Sequence, residues 1–160
     1  MARGGTTGGK ELMRPLLSTS FVSTAIRVVI GGIFIYAGIL KMMDPAAFAK
    51  AIESFRMVPR AFIPPLAIIL PPLEVLAGAL WIVNRASVAA ATTILGLCVL
   101  FAVALGSAIL RGLPTSCGCF GAALDGSSPK VALLRDIFFT AATAYWLVLR
   151  RAAPRKARAV

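Results

Sequence analysis

The sequence contains no histidine, only six Asp and Glu together, and three cysteines in 160 residues. Without histidine the chain lacks the commonest metal ligand and the commonest general base near neutral pH. Charged residues make up 14% of the chain, where a soluble domain carries roughly 25%. So few charges cannot cover a water-exposed surface of this size. Strand-like alternation is missing as well. The apolar runs are continuous and too long for strands, which argues against a β-barrel.

What remains is apolar. The chain is 59% hydrophobic with a mean hydropathy of +0.88, and its length suits one compact domain. Four apolar segments fall at about 21–43, 61–83, 86–110 and 131–149, each near the ~20 residues a helix needs to cross the hydrocarbon core. The expected fold is an all-α membrane protein, a four-transmembrane-helix bundle over residues 18–150. Residues 1–17 are Gly-rich and basic and read as a disordered tail; residues 151–160 form a basic C-terminal tail. The first segment resembles a signal peptide only in the Ala47–Phe48–Ala49 stretch. It is longer than the about 7–15 residues of a signal core, and Lys41 and Asp44 precede that stretch, so a retained helix is expected.

The net charge is +11, and its distribution matters more than its size. Basic residues cluster at both ends (Arg3, Lys10 and Arg14; Arg150, Arg151, Arg155, Lys156 and Arg158) with no aromatic-interleaved face, so no nucleic-acid partner is expected. The lipid bilayer is the partner such tails suit. The tails and the Asn84–Arg85 turn hold nine of the seventeen Lys and Arg, against one acid, Glu11. By the positive-inside rule both termini are cytoplasmic in the cell inner (plasma) membrane. The connections 44–60 and 111–130 then face the extracytoplasmic side. The first of them, "DPAAFAKAIESF", has Asp44 as N-cap and Pro45 at the first helical position. Phe48, Ile52 and Phe55 fall on one face, which predicts a short amphipathic outer helix between helices 1 and 2.

Two charges fall inside spans. Arg27 lies about 10 Å and Glu74 about 13 Å from the cytoplasmic side at 1.5 Å per residue. Similar depth predicts an intramembrane polar pair, Arg27 with Glu74, facing the bundle interior. Two uses stand for it: a clamp fixing helix register, which is favoured, or a polar site for a proton or a quinone headgroup. No motif marks a resident cofactor, and a quinone is the one this pair leaves open. Pro71 and Pro72, one turn before Glu74, remove backbone donors and predict a kink. Lys41, Arg135 and Asp136 sit at the outer span ends, where snorkelling is the plain reading.

The third feature is "PTSCGCFGA", Pro114–Ala122. On the oxidising side Cys117 and Cys119 tend to form a disulfide, and with one residue between them only a tight ring joins them. Disulfides prefer Cα atoms ~5.5 Å apart; Gly118 tolerates the backbone angles required. A strained bond is more readily reduced, which suits exchange over stapling. Lys41, Arg111 or Arg135 nearby would stabilise a thiolate. A structural turn bent at Gly118 and Gly121 is the plain alternative. Two thiols without histidine fall short of the about four ligands of a metal site. Cys98, mid-span among Leu97, Val99 and Leu100, reads as a small hydrophobe.

Together "RVVIGGIFIYAGILKMMDPAAFAKAI", "PPLEVLAGALW" and "CGCFG" resemble the MauE branch of the DoxX-like membrane proteins. The resemblance covers about Ala25 to Leu149, with matches at Arg27, Gly38, Lys41, Pro72, Glu74, Gly78, Cys117, Cys119, Phe120 and Gly121. It implies a four-helix integral membrane protein associated with thiol redox chemistry, in a group linked to maturation of the disulfide-rich subunit of methylamine dehydrogenase. The expected activity is thiol–disulfide exchange by Cys117 and Cys119 with an extracytoplasmic thioredoxin-like protein or cysteine-rich client. Unlike the quinone-linked disulfide oxidases, the chain has no Cys-x-x-Cys and no second outer pair. A noncatalytic scaffold anchoring a partner redox enzyme is the alternative. A transporter is weaker, since inverted repeats are missing.

Overall fold

The structure, a computed structural model, describes the backbone of residues 8–113 and 129–152 and the side chains of 21–113 and 129–150. Every element among the described residues is helical: α1 (Gly8–Met43), α2 (Pro45–Ser54), a 3₁₀ turn (Arg60–Phe62), α3 (Ile63–Ile82), α4 (Ser87–Leu110) and α5 (Pro129–Ala152). Four stretches are long and apolar enough to cross a membrane: Phe21–Met43, Arg60–Ile82, Ser87–Leu110 and Pro129–Arg150. Large apolar side chains such as Ile68, Leu100, Phe138 and Val148 point outward and are exposed. A surface that apolar is stable against lipid and costly against water.

The N-terminal expectation needs narrowing. Helical backbone begins at Gly8, so α1 extends N-terminally beyond the span that starts at Phe21. The stretch "KELM" there is made of good helix formers, and extending an existing helix avoids the cost of nucleation. Residues 1–7 and 153–160 lie outside the described residues.

α1 and α3 run antiparallel in intimate contact. A Cβ added at Gly78 would stand 2.6 Å from the Gly31 carbonyl oxygen, and one at Gly38 would stand 2.8 Å from that of Pro71. Only glycine allows backbones this close, the usual way helices associate where lipid removes the hydrophobic drive. α3 continues as one element through Pro71 and Pro72. α4 follows after a tight turn in which Asn84 (φ 59°) and Ala86 (φ 49°) are left-handed. α5 packs antiparallel on α4, and Arg150 ties its far end to that turn by donating to Asn84 Oδ1 at 2.9 Å. The core is centred on Trp81 and Trp146, edge to face at 5.4 Å, with Ile94 and Leu105 fully enclosed.

The helix α2 between the first two spans forms as its cap predicts. Asp44 Oδ1 accepts from the Ala47 amide at 2.9 Å, with Pro45 opening the first turn. Phe48 and Ala51 are buried, and Ile52 and Phe55 are half-buried on the same side. α2 therefore lies across the bundle end where α1 finishes and α3 and α5 start.

Candidate functional site

The buried face of each spanning helix recurs at three- and four-residue steps, as packing against a neighbour requires. On α1 the stripe is Ile30, Phe34, Ala37 and Lys41; on α3 it is Ala67, Pro71, Glu74, Ala77 and Trp81. On α4 it includes Ile94, Cys98 and Leu105, and on α5 Ala132, Asp136, Phe139, Thr143 and Trp146. Among the described residues, three charged side chains thus occupy core positions. Lys41 is 4% exposed, Glu74 1% and Asp136 6%.

Lys41 Nζ donates to both carboxylate oxygens of Glu74, at 2.6 and 2.8 Å. Two aromatic rings cover the ammonium: Phe101 of α4, with its centroid 4.6 Å away, and Phe48 of α2, at 5.1 Å. A buried charge costs several kcal/mol unless it is paired and its hydrogen bonds are met. The bidentate contact and the two ring faces supply that compensation. Beside the pair, Asp136 Oδ1 lies 3.4 Å from Arg135 Nη2, while Asp136 Oδ2 is buried with no hydrogen-bond partner among the described residues. A cavity of about 30 Å³ opens between the Lys41–Glu74 pair, Asp136 and Cys98.

The expected Arg27–Glu74 pair is therefore corrected: Glu74 belongs to Lys41. Arg27 instead donates from Nε to the Trp81 carbonyl at 2.9 Å and from Nη2 to the Ile82 carbonyl at 2.8 Å. The cause is geometric. Gly31 faces Gly78 and Gly38 faces Pro71, so Glu74 lies level with α1 between Gly31 and Gly38. Helical side chains lean toward their own N-terminus. On antiparallel helices Lys41 and Glu74 lean toward each other, whereas Arg27 leans away, toward the last carbonyls of α3. Those carbonyls are the negative end of the helix dipole; the Trp81 carbonyl also accepts from the Asn84 amide at 3.2 Å.

Lys41 was also expected to snorkel and to serve the thiols; it is enclosed, and its charge is already matched by Glu74. Arg111 lies at the end of α4, immediately before the cysteine segment. Its Nη2 donates to the Phe55 carbonyl at 2.5 Å and its Nε to the Ser107 carbonyl at 3.1 Å. It straps the root of that segment to the chain leaving α2. Arg135, at the other root, is one quarter exposed and contacts Asp136. Cys117, Gly118, Cys119, Phe120 and Gly121 lie outside the described residues.

Sequence reasoning reads Asp136 as a headgroup residue at the span end and Cys98 as a small hydrophobe with no function; the structure places both on the buried stripe. The signal was the spacing itself: Asp136 stands four residues after Ala132 and three before Phe139, on the stripe that the apolar residues define. Cys98 likewise follows Ile94 by four.

These features define a class: a polytopic helical membrane protein with a charged core between its spans. The family follows from comparison. The model of the family described as methylamine utilisation protein MauE matches residues 19–149, and the chain belongs to that family. It is 28% identical over 130 residues to the methylamine utilization protein MauE of Paracoccus denitrificans, covering 81% of this chain and 70% of that one. No solved structure matches the chain significantly.

Proposed function

We propose that this chain is a membrane thiol–disulfide exchange protein whose Cys117–Cys119 pair oxidises an extracytoplasmic partner. The observation that carries the reading is the Cys-Gly-Cys sequence in the connection joining two spanning helices. Such a connection lies at a membrane surface, within reach of a soluble protein. The distribution of basic residues supports reading that surface as the outer face of the inner membrane, with both termini cytoplasmic. Arg111 holding the root of α4 to the carbonyl of Phe55 gives the connection a fixed base.

The exchange balances within the pair. A client thiolate attacks one sulfur of the Cys117–Cys119 disulfide, forming a client–chain S–S bond and releasing the other cysteine as a thiolate, which takes a proton. A second client thiolate then attacks the mixed disulfide, forming the client disulfide and releasing the second cysteine. Two electrons pass to the chain. A thioredoxin-like disulfide or a quinone would return the pair to its oxidised form. The family's description connects this work to methylamine utilisation, so a cysteine-rich protein of that process is the client we infer.

The test is a trap. Cys117→Ser and Cys119→Ser, made singly in the full chain, leave one thiol each, and one of them should accumulate a reducible adduct with the client in cells. The isolated pair should titrate between about −270 and −120 mV. If neither single variant traps an adduct, and the double variant leaves client oxidation unchanged, the chain is a scaffold for another redox protein.

A further inference from the structure

The cavity beside the ion pair, lined by residues of all four spans, has the makings of a second site. Asp136 Oδ2 is a charged-group oxygen on a residue 6% exposed, with no partner among the described residues. Buried polar atoms in folded proteins are paired with protein or ordered water, and an unpaired one costs about 1–3 kcal/mol. The cavity that Asp136 lines has a volume of about 30 Å³. A buried water needs about 10–15 Å³ measured in this way and two to four polar partners. One or two waters therefore fit.

The partners are present and come from all four spans. Asp136 of α5 offers its free oxygen. Glu74 of α3 has lone pairs beyond the two used by Lys41, and Lys41 of α1 has a third N–H. Cys98 of α4 offers a weak S–H donor. Arg135 stands on the other side of Asp136. Ala37 and Phe139 complete the wall, the first of them small enough to leave the space open. We propose that this chamber binds water and is a proton-exchange centre, with Asp136 and Glu74 trading a proton through that water. Intramembrane carboxylates facing a polar interior mark proton pathways in other membrane proteins, and here two carboxylates and an ammonium meet at a water-sized space. The inference holds whatever Cys117 and Cys119 do.

The experiment uses the full chain in lipid nanodiscs with Cys117→Ser and Cys119→Ser, so that Cys98 carries the remaining thiol. Its S–H stretch falls in a clear infrared window. After transfer to deuterated buffer the band should convert to S–D while the core helix amides remain protonated. An S–H band that persists as long as those amides would overturn the proposal. Ala37→Leu, which fills the chamber, should slow conversion about tenfold or more, because exchange then needs a local opening. A folded Ala37→Leu variant exchanging at the parent rate would also overturn it. Should Ala37→Leu fail to fold, the parent measurement decides, together with a deuterium-sensitive carboxyl band that Asp136→Asn should abolish. Absence of any such band would count against the assignment of Asp136.

Discussion

Two cations of α1 face the same difficulty, a positive charge below the membrane surface, and meet it by different means. Lys41 is enclosed, paired with a carboxylate and roofed by two rings. Arg27 is half-buried and spreads its charge over two carbonyls at the end of α3. The Lys41 end of the bundle thus depends on one specific partner, whereas the Arg27 end depends on backbone that any sequence would supply. A buried ion pair is weak evidence for net stability, but losing one member is severe. A guanidinium on helix-end carbonyls is less demanding, since its acceptors are backbone groups rather than one particular side chain. The first arrangement specifies which helices meet; the second adjusts to whatever meets.

The contrast is open to direct attack. The largest effect is expected from Glu74→Leu, which strands the Lys41 ammonium among Phe48 and Phe101. Unfolding in mixed micelles should register a loss of about 3–5 kcal/mol. The double change Lys41→Met with Glu74→Leu should recover most of that loss. A double variant as unstable as the single one would show that the pair is not what the core requires. Next comes the seam that brings the partners together. Gly78→Ala places a Cβ 2.6 Å from the Gly31 carbonyl oxygen, and the helices must separate at a cost of about 1–3 kcal/mol. The Lys41–Glu74 contact should loosen with it, visible as a smaller cost of a second substitution at Lys41 in the Gly78→Ala background than in the parent.

Smaller effects belong to the other end. Arg27→Met removes two part-buried hydrogen bonds from a charged donor and should cost about 1–2 kcal/mol, since the Trp81 carbonyl keeps the Asn84 amide as a partner. Arg27→Lys should fall between, because an ammonium cannot span both oxygens as the guanidinium does. The smallest change lies in the turn just beyond those carbonyls. Ala86 holds φ 49°, a conformation that glycine adopts freely, so Ala86→Gly should raise stability by about 0.5–1 kcal/mol. Denaturant midpoints at constant slope would read both.

Much of this architecture was open to reading beforehand. The four spans follow from run length alone, and α2 follows from Asp44, Pro45 and Phe48, because caps and helical periodicity act over a few residues. The helical start at Gly8 was hidden by the glycines around it, whose low propensity a continuing helix overrides. The charged core was legible in part. Lys41 and Glu74 stood out as charges in apolar surroundings, but their partnership did not. Depth measured from span ends treats side chains as points and ignores the lean that carries Lys41 toward Glu74 and Arg27 away. Asp136 was assigned to the headgroups because it lies near the start of its span, though its spacing from Ala132 and Phe139 put it on the inner stripe.

By itself the sequence determined that the chain is helical and lipid-embedded, and where each helix is apolar, because those properties depend on composition and spacing within one segment. It also determined the Cys-Gly-Cys connection between two spans. Only the tertiary structure decided which charge meets which, that Cys98 shares a cavity with Asp136, and that Arg27 rests on α3. Those facts depend on the register between helices, set where Gly31 and Gly78 let two backbones touch, and no property of either segment alone contains it.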